Sequence, residues 1–248
     1  LWGRLLYNPD TPDSVFEAEF VRRYGESARS LLQAYTLASE TQLNFATSID
    51  FSWDFTIYGE GMMVLSDDGL EPMSVERLIR QPTLKDNWLS VEDFVAKRSA
   101  AETLPPGTVT PLMLADHMEA DGKAALELVK GIAAGGDSAL MYEVADIKTW
   151  ANLGLYYAEK LRGAVALKTF RTSGSKQEKS AAVNHLQHSL AYWDKVIAIT
   201  RPLYRDMPLT HYNLPNNQRV EDNLFHWALI RNSIADDVEV ARNAQFRN

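Results

Sequence analysis

His185 and His188 stand three residues apart in a stretch of helical periodicity, so both imidazoles share one face and could share a metal ion. Two ligands are too few. No carboxylate or third histidine follows at ligand spacing along the chain, so the sequence predicts no metal and no cofactor. His117 sits beside Asp116 and Glu119, a set with acid and base character, but acidic neighbours are expected in a charged helix and a solvated face is the simpler reading. No Gly-x-Ser-x-Gly elbow exposes a serine nucleophile. The glycine-rich Tyr58-Gly59-Glu60-Gly61 has neither the lysine nor the strand-to-helix frame of a phosphate loop. Glycosidic acid–base work needs two carboxyls facing one bond, and the adjacent pairs Asp67-Asp68 and Asp236-Asp237 do not supply that. No catalytic residue is expected.

Binding chemistry is better represented. In "SIDFSWDFTIYGEGMM", Phe51, Trp53, Phe55 and Tyr58 crowd together with Asp54 and Glu60. Sugars are held by aromatic faces with a few fixed polar groups, so this stretch suits a glycan-facing loop. A second cluster, "LTHYNLPNN", places His211, Tyr212 and Asn213 just before Pro215. With Trp88, the candidate glycan contacts are Trp53, Asp54, Tyr58, Glu60, His211 and Tyr212. Each cluster has a plainer use in pinning a long loop onto its support, and for both that packing role is the more frequent one.

The elements that must hold these residues are helical. Thr11-Pro12-Asp13 and Thr110-Pro111-Leu112 both read as helix openings, a threonine hydroxyl accepting an orphan amide and proline occupying the first turn. The first opens a helix to Gly25, followed by another toward Ala46, a helical pair within residues 1–48. Residues 49–109 are broken by Gly59, Gly61, Pro72, Pro82 and Pro105-Pro106-Gly107 into loop, with short helices at Ser74 to Arg80 and Ser90 to Ala100. Residues 110–248 carry four long helical patterns, about 110–133, 138–170, 175–204 and 220–242. In the second, Leu140, Val144, Ile147, Ala151, Gly154, Ala158, Leu161 and Val165 form one stripe. In the third, the stripe is Val183, Leu186, Leu190, Trp193, Ile197 and Tyr204. The breaks at Gly135-Gly136 and Thr172-Ser173-Gly174 are short, so consecutive helices should run up and down. The expected fold is all-α, a single helical domain built on an antiparallel bundle of long helices with a loop-rich middle.

Composition narrows the function classes. The net charge of -8, without clustered basic residues, argues against a nucleic-acid partner. No run approaches the roughly 20 apolar residues that cross a bilayer, and the start lacks the pattern of a secretory signal, so no membrane partner is expected. The absence of cysteine excludes disulfides and thiolate sites but does not fix a compartment, and localisation stays open between bacterial cytoplasm and periplasm.

Several stretches carry a family resemblance: "LWGRLLYNPDTPD", "TPLMLADHMEADGKAALELV", "YEVADIKTWANLGLYYAEKLRGAVALKTFRTSG", "AVNHLQHSLAYWDKV" and "FHWALIRNSIADDVEVAR". Together they resemble the helical C-terminal region that follows the catalytic barrel in bacterial α-glucuronidase-like glycoside hydrolases. The resemblance implies a non-catalytic region of a larger carbohydrate-active protein, with an upstream barrel as partner, a glycan cleft to support and a homodimer contact to form. It also implies that the chain starts in mid-protein, with Trp2, Leu5, Leu6 and Tyr7 packed near a domain junction. The rival readings are an independent glycan-binding module and a helical scaffold for protein partners.

Overall fold

A short helix α1 (Trp2–Tyr7) ends at Asn8, whose carbonyl accepts the Thr11 hydroxyl at 2.7 Å. Thr11 is thereby engaged in the turn, and α2 (Asp13–Tyr24) begins after Pro12 with no side-chain cap. The expected threonine cap is absent here. Gly25, at φ 84°, ends the helix, its N–H bonded to the Val21 carbonyl at 2.8 Å. Then α3 (Leu31–Thr47) completes the helical pair. The computed structural model describes residues 2–50, 57–66, 69–208, 212–213, 218–219 and 224–246.

Where the glycine and proline breaks predict loop, the middle segment holds a small antiparallel sheet: β1 (Ile57–Tyr58), β2 (Met63–Ser66) and β3 (Gly69–Pro72). Strands of two to four residues carry too few alternations to register as a period-two pattern. The register pairs Val64 with both Ile57 and Glu71. The two short helices fall where expected, α4 (Val75–Arg80) and α5 (Val91–Ser99), each capped by the serine before it.

Next come α6 (Pro111–Val129), α7 (Ser138–Ser173) and α8 (Lys176–Thr200). Thr110 caps α6 as expected, accepting the Met113 N–H at 3.2 Å with Pro111 in the first turn. Asp137 caps α7 through Ala139 and Leu140, and Gly174, left-handed at φ 72°, closes it. The fourth long helix, expected from about Val220, begins only at Arg231. Before it the chain forms two small two-stranded ribbons, β4 (Met207–Pro208) with β7 (Leu224–Phe225), and β5 (Tyr212–Asn213) with β6 (Gln218–Arg219). The last helix, α9, is Arg231–Asn243.

The architecture is all-α in its packing, and α7 is its axis. Contacts between α7 and its neighbours run in opposite chain order, Gly122 on α6 meeting Ala151 while Met118 meets Gly154, and Leu186 on α8 meeting Gly163 while Ser189 meets Tyr156, so α6, α7 and α8 are antiparallel. Every residue of the expected α7 stripe is buried. The close approach depends on glycine: a Cβ at Gly122 would lie 2.8 Å from the Ala151 carbonyl oxygen, and one at Gly163 would lie 2.8 Å from Leu186 Cγ. The α8 stripe is rotated from the expected one. Its buried line is Ala182, Leu186, Ser189, Trp193, Val196 and Thr200, while Val183, Leu190 and Ile197 flank it half-buried. The polar members of that line are satisfied locally, Ser189 on the Tyr156 carbonyl at 3.1 Å and Thr200 on the Val196 carbonyl at 2.8 Å.

A second apolar cluster joins α3, α6 and the start of α7 through Leu31, Ala34, Ala38, Val129, Leu140 and Ile147. At the N-terminus, Leu6 and Tyr7 are 80% and 93% exposed, so α1 does not fold back onto the bundle with them. Among the described residues no helix is long and apolar enough to cross a membrane.

Candidate functional site: an aromatic cleft at one end of the bundle

On α7, Asp146 and Trp150 are one turn apart and share a face. After α8 the chain turns back past Tyr204 and Arg205, and the β4–β7 pairing of Met207 with Phe225 carries His226 and Trp227 alongside. These residues, with Thr149 and Glu60, line a cleft of about 260 Å³. Trp227 is fixed at both ends: its Nε1–H donates to the Glu60 carbonyl at 2.7 Å, and its own carbonyl accepts Trp193 Nε1–H at 3.0 Å. Phe225 packs edge-on to it at 5.2 Å, and the Tyr204 ring is tilted against it at 6.4 Å.

The polar groups are held as firmly. The Tyr204 hydroxyl donates to Asp146 Oδ1 at 2.5 Å. Burial raises the Asp146 pKa above the usual aspartate value; the Tyr204 hydrogen bond opposes that rise and the nearby Glu143 charge adds to it. His226 is 1% exposed, and its Nδ1 accepts the Ala228 N–H at 3.0 Å, which leaves the proton on Nε2. Among the described residues, that buried Nε2 has no hydrogen-bond partner. Burial, reinforced by the Arg201 charge, lowers the His226 pKa, so the ring is neutral near pH 7. Arg205 is exposed at the cleft and has no ion-pair partner among the described residues.

Aromatic faces beside carboxylate acceptors and a guanidinium donor are the chemistry of polyol recognition: apolar ring contact for C–H surfaces, and directional bonds for hydroxyls. The Tyr204 hydroxyl engages one oxygen of Asp146.

Of the sequence candidates with described side chains, Glu60 lines this cleft, on a tight turn spanning Gly59–Gly61. Trp88 lies elsewhere, half-buried against the core beside Leu89 and Val91, with the Lys85 ammonium 5.4 Å from its ring. Tyr58 and Tyr212 are described in backbone only, within β1 and β5. Trp53, Asp54 and His211 lie outside the described residues. Sequence reasoning missed Asp146, Trp150, Tyr204, Arg205, His226 and Trp227. Only the first two left a trace, an acid and a tryptophan at helical spacing inside an otherwise apolar stretch.

The histidine pair also gains context. His185 Nδ1 lies 2.8 Å and His188 Nδ1 3.6 Å from Glu159 Oε2, a carboxylate on α7 that the spacing along the chain does not reveal. His117 pairs with Asp121 at 3.3 Å, whereas its sequence neighbours Asp116 and Glu119 turn to Arg162. The acid–base set read around His117 is therefore not assembled.

No protein-family model matches the chain, and no curated protein matches it. Among solved structures, a GH138 enzyme targeting pectin rhamnogalacturonan II superposes on it with a TM-score of 0.70 at 14% identity. The match covers 100% of this chain and 31% of that enzyme, so the chain spans about a third of its length. The helical fold described above is thus one that also occurs within a glycoside hydrolase.

Proposed function

We propose that this chain is the helical, non-catalytic region of a larger carbohydrate-active enzyme, and that its cleft contacts glycan. The observation that carries the reading is the superposition of the whole chain on less than a third of a GH138 enzyme, the rest of which leaves room for a catalytic domain. Leu6 and Tyr7, uncovered apolar residues of the sort that abut a neighbouring domain, support it. The narrower parentage, an α-glucuronidase-like enzyme with an upstream barrel and a dimer contact, rests on the sequence resemblance.

The chain alone should hydrolyse neither aryl glycosides nor glucuronoxylan fragments; turnover at enzyme-like rates, abolished by replacing Asp146 or Glu60, would overturn the proposal. The independent glycan-binding reading is favoured by the cleft itself. Calorimetric titration with uronic-acid-containing oligosaccharides should then show binding that weakens about tenfold in Trp227→Ala, the effect of one lost aromatic contact. Arg205→Ala, exposed and unpaired among the described residues, separates lost binding from lost folding.

A further inference from the structure

We infer that Glu159, His185 and His188 form a binding site for a divalent transition-metal ion such as zinc, bridging α7 and α8. The three offer one ligand atom each, all within 4.8 Å of one another, and both histidine Nδ1 atoms converge on the same carboxylate oxygen. Two imidazoles and one carboxylate are a recurring ligand set for such metals, and ligand bonds of about 2.0–2.2 Å fit groups clustered this closely. His185 and His188 are one helical turn apart on α8, so packing against α7 presents both to one carboxylate.

The carboxylate is held in place for this role. Its other oxygen, Oε1, accepts from Arg162 Nη1 at 3.0 Å, and Arg162 is in turn engaged by Asp116 at 2.7 Å and by Glu119. Outer partners of this kind orient a ligating carboxylate and keep the free oxygen toward the ion. The surrounding charge is suitable too. Glu159, Asp116 and Glu119 carry three negative charges against the positive charges of Arg162 and Lys123, the latter paired to Glu119. A net negative surround remains for a dication when both imidazoles are neutral. Glu159 is mostly buried, while the His188 side chain is 68% exposed, so the site has an open side by which the ion enters and water completes its coordination. The three ligands alone leave at least one position for solvent.

The test is titration of the full chain with Zn²⁺, and with Co²⁺ read by its visible absorption. One equivalent should bind, and it should raise the thermal midpoint, because an ion that binds only the folded chain stabilises it. Glu159→Gln and His188→Ala should each weaken binding at least about tenfold, and Arg162→Ala about tenfold through lost orientation. His117→Ala, an exposed histidine outside the cluster, should leave affinity unchanged. Far-ultraviolet circular dichroism confirms that each variant is folded; because His188 is largely exposed, its replacement does not disturb the core. Absence of stoichiometric binding, or affinity that survives both Glu159→Gln and His188→Ala, overturns the assignment.

Discussion

Lys160 Nζ on α7 lies 2.7 Å from Asp237 Oδ2 on α9, with the two side chains only 1% and 5% exposed. The ammonium also donates to the Tyr156 hydroxyl at 2.8 Å, and Asp237 Oδ1 accepts the Val75 N–H that opens α4 at 2.7 Å. One ion pair therefore ties the central helix, the last helix and the small middle helix. Removing a single partner leaves an uncompensated buried charge. Asp237→Ala should cost about 3–5 kcal/mol in urea unfolding, whereas replacing both residues with apolar ones should recover most of that loss. Additive losses in the double variant would show that the pair is not coupled.

The same pair sets a pH dependence. Burial works against the Lys160 charge, but Asp237 and Tyr156 outweigh it and hold the pKa well above the usual lysine range. A raised folded pKa contributes stability that is complete below the unfolded value and lost as pH rises through the folded one. The urea midpoint should therefore fall as pH climbs beyond about 10.5. Tyrosines with raised pKa values, Tyr157 among them, contribute in the same direction. Comparison with Lys160→Met isolates the lysine, and that variant should show a shallower alkaline decline.

At the cleft, the Tyr204 hydroxyl lowers an Asp146 pKa that burial raises. Tyr204→Phe should move the Asp146 titration to higher pH in carbon NMR, without unfolding the bundle. A downward shift, or none, would mean that the hydroxyl does not stabilise the carboxylate.

Two threonines that look equivalent in sequence differ in role. Thr110→Ala removes a cap from α6 and should cost about 1 kcal/mol. Thr11→Ala removes only an exposed turn contact to Asn8 and should change stability by less than about 0.5 kcal/mol. Denaturant curves for the two variants distinguish them directly.

The stripe from Leu140 to Val165, the breaks at Gly135-Gly136 and Gly174, and the Thr110 cap were legible along the chain, because a hydrogen-bonded helix records its period and its ends within a few residues. From them the all-α antiparallel body follows. The short strands were not legible, nor was the one-position rotation of the α8 stripe, where Ser189 and Thr200 take buried places by bonding to backbone carbonyls. Still less legible were Asp146 beneath Tyr204, Glu159 between two histidines, and Lys160 against Asp237, partners separated by 58, 26 and 77 residues. Local periodicity decides which face of a helix is buried. Which polar side chains meet across the gap depends on how far one helix slides along another, and here glycines on α6 and α7 set that register in three dimensions.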